Sequence, residues 1–251
     1  MLIDTHAHLH FSQFAGQVDG VLRRADEAGI GKIINVGVNT ADSQKATELA
    51  ATYEHVWAAV GIHPYDAGEI EQGSQYLRGL ATRRKVVAIG ECGIDLYKAE
   101  ASLEQQEAAL RVQIELAGDM SLPLIFHVRE AFEPFWKVLA DYPQTRGVVH
   151  SFTGNQADME RAVEAGLYVA LNGIITYTKS DDHRAAAQAV PSNRLLLETD
   201  CPFLSPVPHR GKTNEPARMA DTAAFLAELR EESVGEIAAA TTANAEALFG
   251  L

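Results

Sequence analysis

The chain begins with "LIDTHAHLHF", which places His6, His8 and His10 at alternate positions. On an extended strand alternate side chains share a face, so His6 and His8 point the same way, and His10 joins them if the strand runs on. Two imidazoles about 7 Å apart along one strand face can converge on a single ion. The same residues also suit a plain strand whose histidines hydrogen-bond their own loop, so the spacing alone does not decide the matter.

Further histidines and acids stand in or just after short apolar runs. His63 closes "VWAAVGIHP", Glu91 lies in "VVAIGECGID", His127 in "LPLIFHV", His150 in "GVVHSF" and Asp200 in "RLLLETD". A charge buried unpaired at the end of an apolar strand is expensive. One such residue is readily satisfied by a private hydrogen bond. Six of them, His6, His8, Glu91, His127, His150 and Asp200, are satisfied more economically by metal. Four imidazoles and two carboxylates exceed one tetrahedral shell, which predicts two divalent ions bridged by a carboxylate. Glu91, midway between the first and sixth strands, is the predicted bridge. The imidazole-rich set suits zinc or manganese better than an oxygen-only magnesium site. Ions held there would depress the pKa of a shared water and yield a hydroxide near neutral pH, with Asp200 placed both to hold metal and to take a proton.

The elements that must position these residues follow from hydrophobic patterning. Eight apolar runs recur ("LIDTHAHL", "KIINVGV", "VWAAVGIHP", "VVAIGECGID", "LPLIFHV", "GVVHSFTG", "LYVALNG", "RLLLETD"), each of the length of a buried parallel strand and with little alternation. Between them lie amphipathic stretches: "GVLRRADEAG" closing on Gly29, "TADSQKATELAATYE" with Thr40 as its expected N-cap, and "NQADMERAVEAG" from Asn155 to Gly166. This alternation predicts an α/β fold, a (β/α)8 TIM barrel over residues 1–251 as one domain, with an extra C-terminal helix. A doubly wound sheet is the alternative, and the lack of a glycine-rich phosphate loop after the first strand counts against it. The helices "NEPARMADTAAFLAELREE" and "VGEIAAATTANAEALFG" are expected on the outside or sealing the barrel's end. In such barrels the active site sits at the carboxyl ends of the strands, where the histidines and acids fall.

Composition narrows the function. Lys and Arg number 21 against 34 Asp and Glu, a net charge of −13, which excludes a broad basic face for duplex nucleic acid. A polyanionic substrate would have to be met locally, near metal or a few arginines. Only Cys92 and Cys201 are present, so a disulfide framework is not expected and a reducing, cytoplasmic setting is. Neither a secretory leader nor a membrane span is expected, and no obligate protein partner is called for. Arg129 shares a strand face with His127 and suits a substrate phosphate, or alternatively pairs with Glu130 or Glu133. His63 touches substrate or serves its turn before Pro64. In "SPVPHRGKTNEP", His209, Arg210 and Lys212 form a positive patch suited to phosphate; the alternative is a solvated loop whose arginine meets Glu215. Both cysteines follow a proposed ligand and so should face the surrounding helices, packed and unreactive.

With these residues in place the chain resembles the TatD family of metal-dependent hydrolases, in the amidohydrolase-like superfamily. The resemblance spans essentially the whole length and rests on "DTHAHL", "GIHP", "IGECGID", "LPLIFHVREA", "GVVHSFTG", "LLLETDCPFLSP" and "PHRGKTNEP". It implies that His6, His8, Glu91, His127, His150 and Asp200 are the metal ligands, with His6, His8 and Asp200 on one side of Glu91 and His127 and His150 on the other. It also implies a deoxyribonuclease acting from the 3′ end of single-stranded DNA, or, as in some relatives, a D-aminoacyl-tRNA deacylase or another ester or amide hydrolase using the same site. The chain departs from the family pattern at His10, where Asp is usual, and at Ser151, where Cys is common; Cys92 occupies a variable position.

Overall fold

The computed structural model describes residues 1–251. Eight parallel strands are hydrogen-bonded in chain order: β1 (Leu2–Ala7), β2 (Ile30–Val36), β3 (Val56–Val60), β4 (Val86–Asp95), β5 (Leu124–Arg129), β6 (Gly147–Val149), β7 (Tyr168–Leu171) and β8 (Leu195–Leu197). The helices α1 (Val18–Glu27), α2 (Thr40–Thr52), α3 (Ile70–Ala81), α4 (Leu103–Met120), α5 (Phe132–Leu139), α6 (Gln156–Glu164), α7 (Asp181–Ala189), α8 (Met219–Arg230) and α9 (Val234–Phe249) complete a (β/α)8 barrel with one extra helix. The strands read as unbroken apolar runs because both faces are covered; all ten residues of β4 are buried.

Helix ends obey local chemistry. Asn155 and Asp158 form a reciprocal capping box on α6, and Gly166 leaves it with φ +79°. The cap of α2 is Asn39, one residue before the expected Thr40: its side-chain oxygen accepts from the Asp42 N–H at 2.9 Å, so Thr40 is already helical.

The barrel closes between β1 and the chain just beyond β8. The Thr5 hydroxyl donates to the Leu197 carbonyl at 2.9 Å, the Asp200 N–H to His6 at 2.8 Å, and the His8 N–H to Cys201 at 2.8 Å. Closure itself therefore brings His6, His8 and Asp200 together. At the opposite end, Ala245, Leu248 and Phe249 of α9 pack with Ile3, Ile34, Val87 and Leu196 inside the barrel, and the Asn244 amide donates to the Leu195 carbonyl at 2.8 Å. The extra helix plugs the amino-terminal mouth and leaves the carboxyl-terminal mouth open for chemistry.

Candidate metal centre

The site residues leave the barrel at different depths. His6 and His127 lie within β1 and β5, and Glu91 lies mid-strand in β4 rather than at its end. β1 stops at Ala7, so His8 and His10 stand in the following turn and the strand alternation does not extend to them. His150 and Asp200 follow the short β6 and β8 in tight backbone turns; Asp200 itself has φ +56° and Ser151 has φ +45°. Gly93, opposite His127 in the β4–β5 register, has φ +152°, and a Cβ there would collide with the His127 carbonyl. That close approach sets Glu91 against His127.

Glu91 is the hub. Its Oε2 lies 3.3 Å from His6 Nε2, while Oε1 lies 2.7 Å from His127 Nδ1, 2.9 Å from His150 Nε2 and 3.4 Å from His63 Nε2. Asp200 Oδ1 is 3.3 Å from His8 Nε2 and 3.8 Å from His6 Nε2. Three overlapping trios, His6–Glu91–His150, His6–His8–Asp200 and His63–Glu91–His127, each hold their ligand atoms within 4.8 Å of one another.

The outer contacts of each ring say which nitrogen is free for a cation. His8 Nδ1 faces the Val36 carbonyl at 2.8 Å and must carry the proton, leaving the Nε2 lone pair inward. His127 Nε2 faces Asp95 Oδ2 at 3.0 Å, leaving Nδ1 inward. His150 Nδ1 lies 3.3 Å from Glu198 Oε1, leaving Nε2 inward. The inward Nε2 atoms of His6 and His8 sit only 3.2 Å apart, a contact that a shared cation relieves, and the buried His6 Nδ1 has no partner in the protein. The donor set thus fits divalent metal, with nitrogen and carboxylate oxygen mixed as zinc and manganese favour. His63 differs: its Nδ1 accepts the Tyr65 N–H at 3.1 Å, so its neutral ring presents Nε2–H, a donor rather than a ligand.

Electrostatics agree. Burial alone would raise Glu91, but His150, His63 and His6, with the His127 hydrogen bond, hold it well below the carboxylate range. Asp200 is likewise held low against burial by His8 and His6. Against its own burial His150 is pushed well above the ordinary imidazole value by Glu91 and Glu198.

Three acids and two amides of the site were not singled out from the sequence. Asp95 orients His127, Glu198 faces His150 and accepts from the Ser151 N–H at 2.7 Å and the Asn172 amide at 3.1 Å, and Asn35 accepts the Leu9 N–H at 2.8 Å. Asp4, raised to about 7 by burial, accepts from the N–H groups of His6 and Thr199 and from the Thr199 hydroxyl at 2.6 Å, locking β1 to the Asp200 turn. A signal existed for two of them: Asp95 and Glu198 are acids inside or abutting the same apolar runs as Glu91 and Asp200. His10 meets Asn35 Oδ1 at 3.1 Å, so the departure at position 10 leaves His8 supported by the Val36 carbonyl instead.

Above the acids opens a cavity of about 810 Å³ lined by His8, His63, Glu91, His127, His150 and Asp200, with Lys98 and Arg129 on its wall. Arg129 lies over the Tyr97 ring, 4.2 Å from its centroid, and does not pair with Glu130 or Glu133; Glu133 sits 3.9 Å from Arg161. His209 and Arg210 do not line this cavity: His209 faces Asp221 at 3.3 Å and Arg210 lies over Tyr177 at 3.5 Å. Glu215 is gripped by Arg24, and the Asn214 amide ties its loop to the Thr199 carbonyl at 3.0 Å. Cys92 and Cys201 are free, buried and packed in the hydrophobic core.

Comparison with known proteins points the same way. The model of the TatD related DNase family matches residues 3–250. The chain is 38% identical over 259 residues to the 3′-5′ ssDNA/RNA exonuclease TatD of Erwinia amylovora, covering 100% of both chains. It is 36% identical over 252 residues to the uncharacterized metal-dependent hydrolase YabD of Bacillus subtilis, covering 99% of each. The crystal structure of the TatD homolog YJJV from Escherichia coli K12 superposes with a TM-score of 0.92 at 36% identity, over 100% of this chain and 98% of that one. These matches favour phosphodiester hydrolysis over the aminoacyl-ester alternative. The chain belongs to the TatD related DNase family of metal-dependent hydrolases.

Proposed function

We propose that the protein is a 3′-to-5′ exonuclease of single-stranded nucleic acid, working as one catalytic domain with two divalent ions, in the cytoplasm. The observation that carries this reading is the convergence of four imidazoles and two carboxylates on the floor of a cavity whose wall holds two cations without carboxylate partners. His6, His8 and Asp200 would hold one ion, His127 through Nδ1 and His150 through Nε2 the other, with Glu91 shared between them. Such ions supply Lewis acidity and lower the pKa of a held water. Zinc and manganese suit the donors, with magnesium the remaining choice.

The protein's own groups do the rest. Arg129, fixed on Tyr97, and Lys98 grip the scissile and neighbouring phosphates. His63 donates Nε2–H to a phosphate oxygen once substrate displaces its contact with Glu91. Asp200, the more open of the two acids, accepts the proton released during attack at its free oxygen. His209 and Arg210, outside the cavity, serve the strand farther from its end. A terminal grip of this kind reconciles a nucleic-acid substrate with a net charge of −13, because positive potential is needed only at the floor and wall. The free buried cysteines are consistent with a reducing compartment, and no helix is long and apolar enough to cross a membrane.

The test strips the protein of metal, reloads it with Mn²⁺, Mg²⁺ or Zn²⁺, and follows 5′-labelled single-stranded DNA on a gel beside Glu91→Ala. A ladder shortening from the 3′ end, absent in the variant, is expected. Intact DNA with all three metals overturns the proposal.

A further inference from the structure

One side of the cavity mouth carries chemistry that phosphate binding does not use. Phe203, on the turn after Asp200, is 46% exposed, and Phe11 stands beside it with ring centroids 6.1 Å apart at 72°. Both line the cavity with Leu204. Phe11 lies flat on the His8 imidazole, 4.7 Å between centroids at 14°, so its orientation is tied to the metal centre. Phe203 is tied to the same centre through its N–H, which donates to the Asp200 carbonyl at 2.9 Å, and the Asn214 N–H pins the neighbouring Pro202 carbonyl at 2.9 Å. The Phe203 ring meets only Phe11 and the edge of His8 among the aromatic groups. A large apolar ring is thus held on a stiff support, turned to solvent, within reach of the reacting groups.

We infer that Phe203, backed by Phe11, is a stacking step for the terminal base of an unpaired strand and makes the enzyme select ends that carry a base, whichever base it is. The inference rests on the nuclease reading above. Any base offers a π-face to a phenyl ring, whereas recognition of a particular base needs amide or other donors at its edge. Phe11, Phe203 and Leu204, which form this side of the cavity, carry no side-chain donor or acceptor, and the lining contains no Asn or Gln. A base within a duplex is already stacked and paired, so this step is open to frayed or single-stranded ends. It lies on the side of His8 and Asp200, while Arg129 and Lys98 take the phosphates, which divides recognition into a base-holding and a phosphate-holding wall.

The experiment measures KM on a short oligothymidylate with either a normal or an abasic 3′-terminal nucleotide, for the metal-loaded wild type, Phe203→Ala, Phe203→Leu and Phe203→Trp. Phe203 is exposed, so these variants keep the fold. Removal of the base should raise the wild-type KM by about 5- to 150-fold, the worth of one stacked base. In Phe203→Ala and Phe203→Leu the ratio of the two KM values should fall close to one, and in Phe203→Trp it should be retained. Equal KM values for the two ends in the wild type, or an unchanged ratio in Phe203→Ala, overturn the stacking role alone. A wild type that shortens neither oligonucleotide overturns the nuclease reading, and this inference with it.

Discussion

Asp95 Oδ2 lies 3.0 Å from His127 Nε2, and this contact turns the opposite nitrogen, Nδ1, to within 2.7 Å of Glu91 Oε1. The N–H groups of Tyr97 and Lys98 donate to Asp95 Oδ1 at 2.8 and 2.6 Å, so the carboxylate cannot swing away. These donors and His127 hold Asp95 below the ordinary carboxylate range despite its burial. The arrangement is a carboxylate–histidine pair that fixes which ring nitrogen faces Glu91 and so would be offered to metal.

Replacing Asp95 by Asn puts an amide N–H against the His127 N–H and should cost metal affinity about 10- to 100-fold. Glu198→Gln should do the same through His150. Titration of the stripped proteins with metal, read by calorimetry, gives the comparison; affinities equal to wild type would remove both residues from the metal centre.

Arg129 and Lys98 make no ion pair and meet only the exposed Tyr97 ring, so removing either should change stability by no more than about 1 kcal/mol. For Arg129→Ala, KM on single-stranded DNA should rise about tenfold and the slope of log affinity against log salt should shrink by about one. A lowered kcat with unaltered KM and salt slope would argue against phosphate contact.

In the proposed centre protons and metal would compete for His150. In the metal-free protein its folded pKa is raised well above 6.5, against burial, by Glu91 and Glu198. A raised value stabilises the fold fully below the unfolded pKa, and that contribution is lost as pH climbs through the folded value. Metal binding runs the other way, because the ligand nitrogen must be deprotonated. The rise in Tm that metal confers should therefore be small near pH 6 and grow toward pH 9. Melting curves with and without chelator decide this; a larger rise at pH 6 contradicts it.

Gly93→Ala should destabilise the protein by at least about 1–3 kcal/mol, since φ +152° suits glycine and the added carbon meets the His127 carbonyl. Relief by pushing β5 outward would separate His127 from Glu91, so metal affinity should fall with stability. Urea denaturation and metal titration of the variant measure the two effects together; a stable variant with intact metal binding would mean that β4 and β5 tolerate a wider spacing.

Much of this protein was legible in its sequence, because burial and period are short-range properties. Unbroken apolar runs such as "RLLLETD" announced strands covered on both faces, glycines such as Gly29 and Gly166 marked helix ends while the cap of α2 fell one residue before the expected Thr40, and polar residues on those runs were conspicuous for the cost of burying them. What local pattern could not supply was the partner of each polar atom. Asp4 meets Thr199 across 195 residues of sequence, and the closure of β1 against the chain after β8 brings His8 to Asp200. Only that closure decided that His8 leans on a carbonyl of β2, that Asp95 and Glu198 orient two of the rings, that His63 faces inward as a donor, and that Arg210 lies outside the cavity while Arg129 lines it. The sequence by itself determined which residues had to be compensated. The barrel determined by what, because hydrogen-bond direction and ring orientation depend on atoms that meet only after the whole sheet has closed.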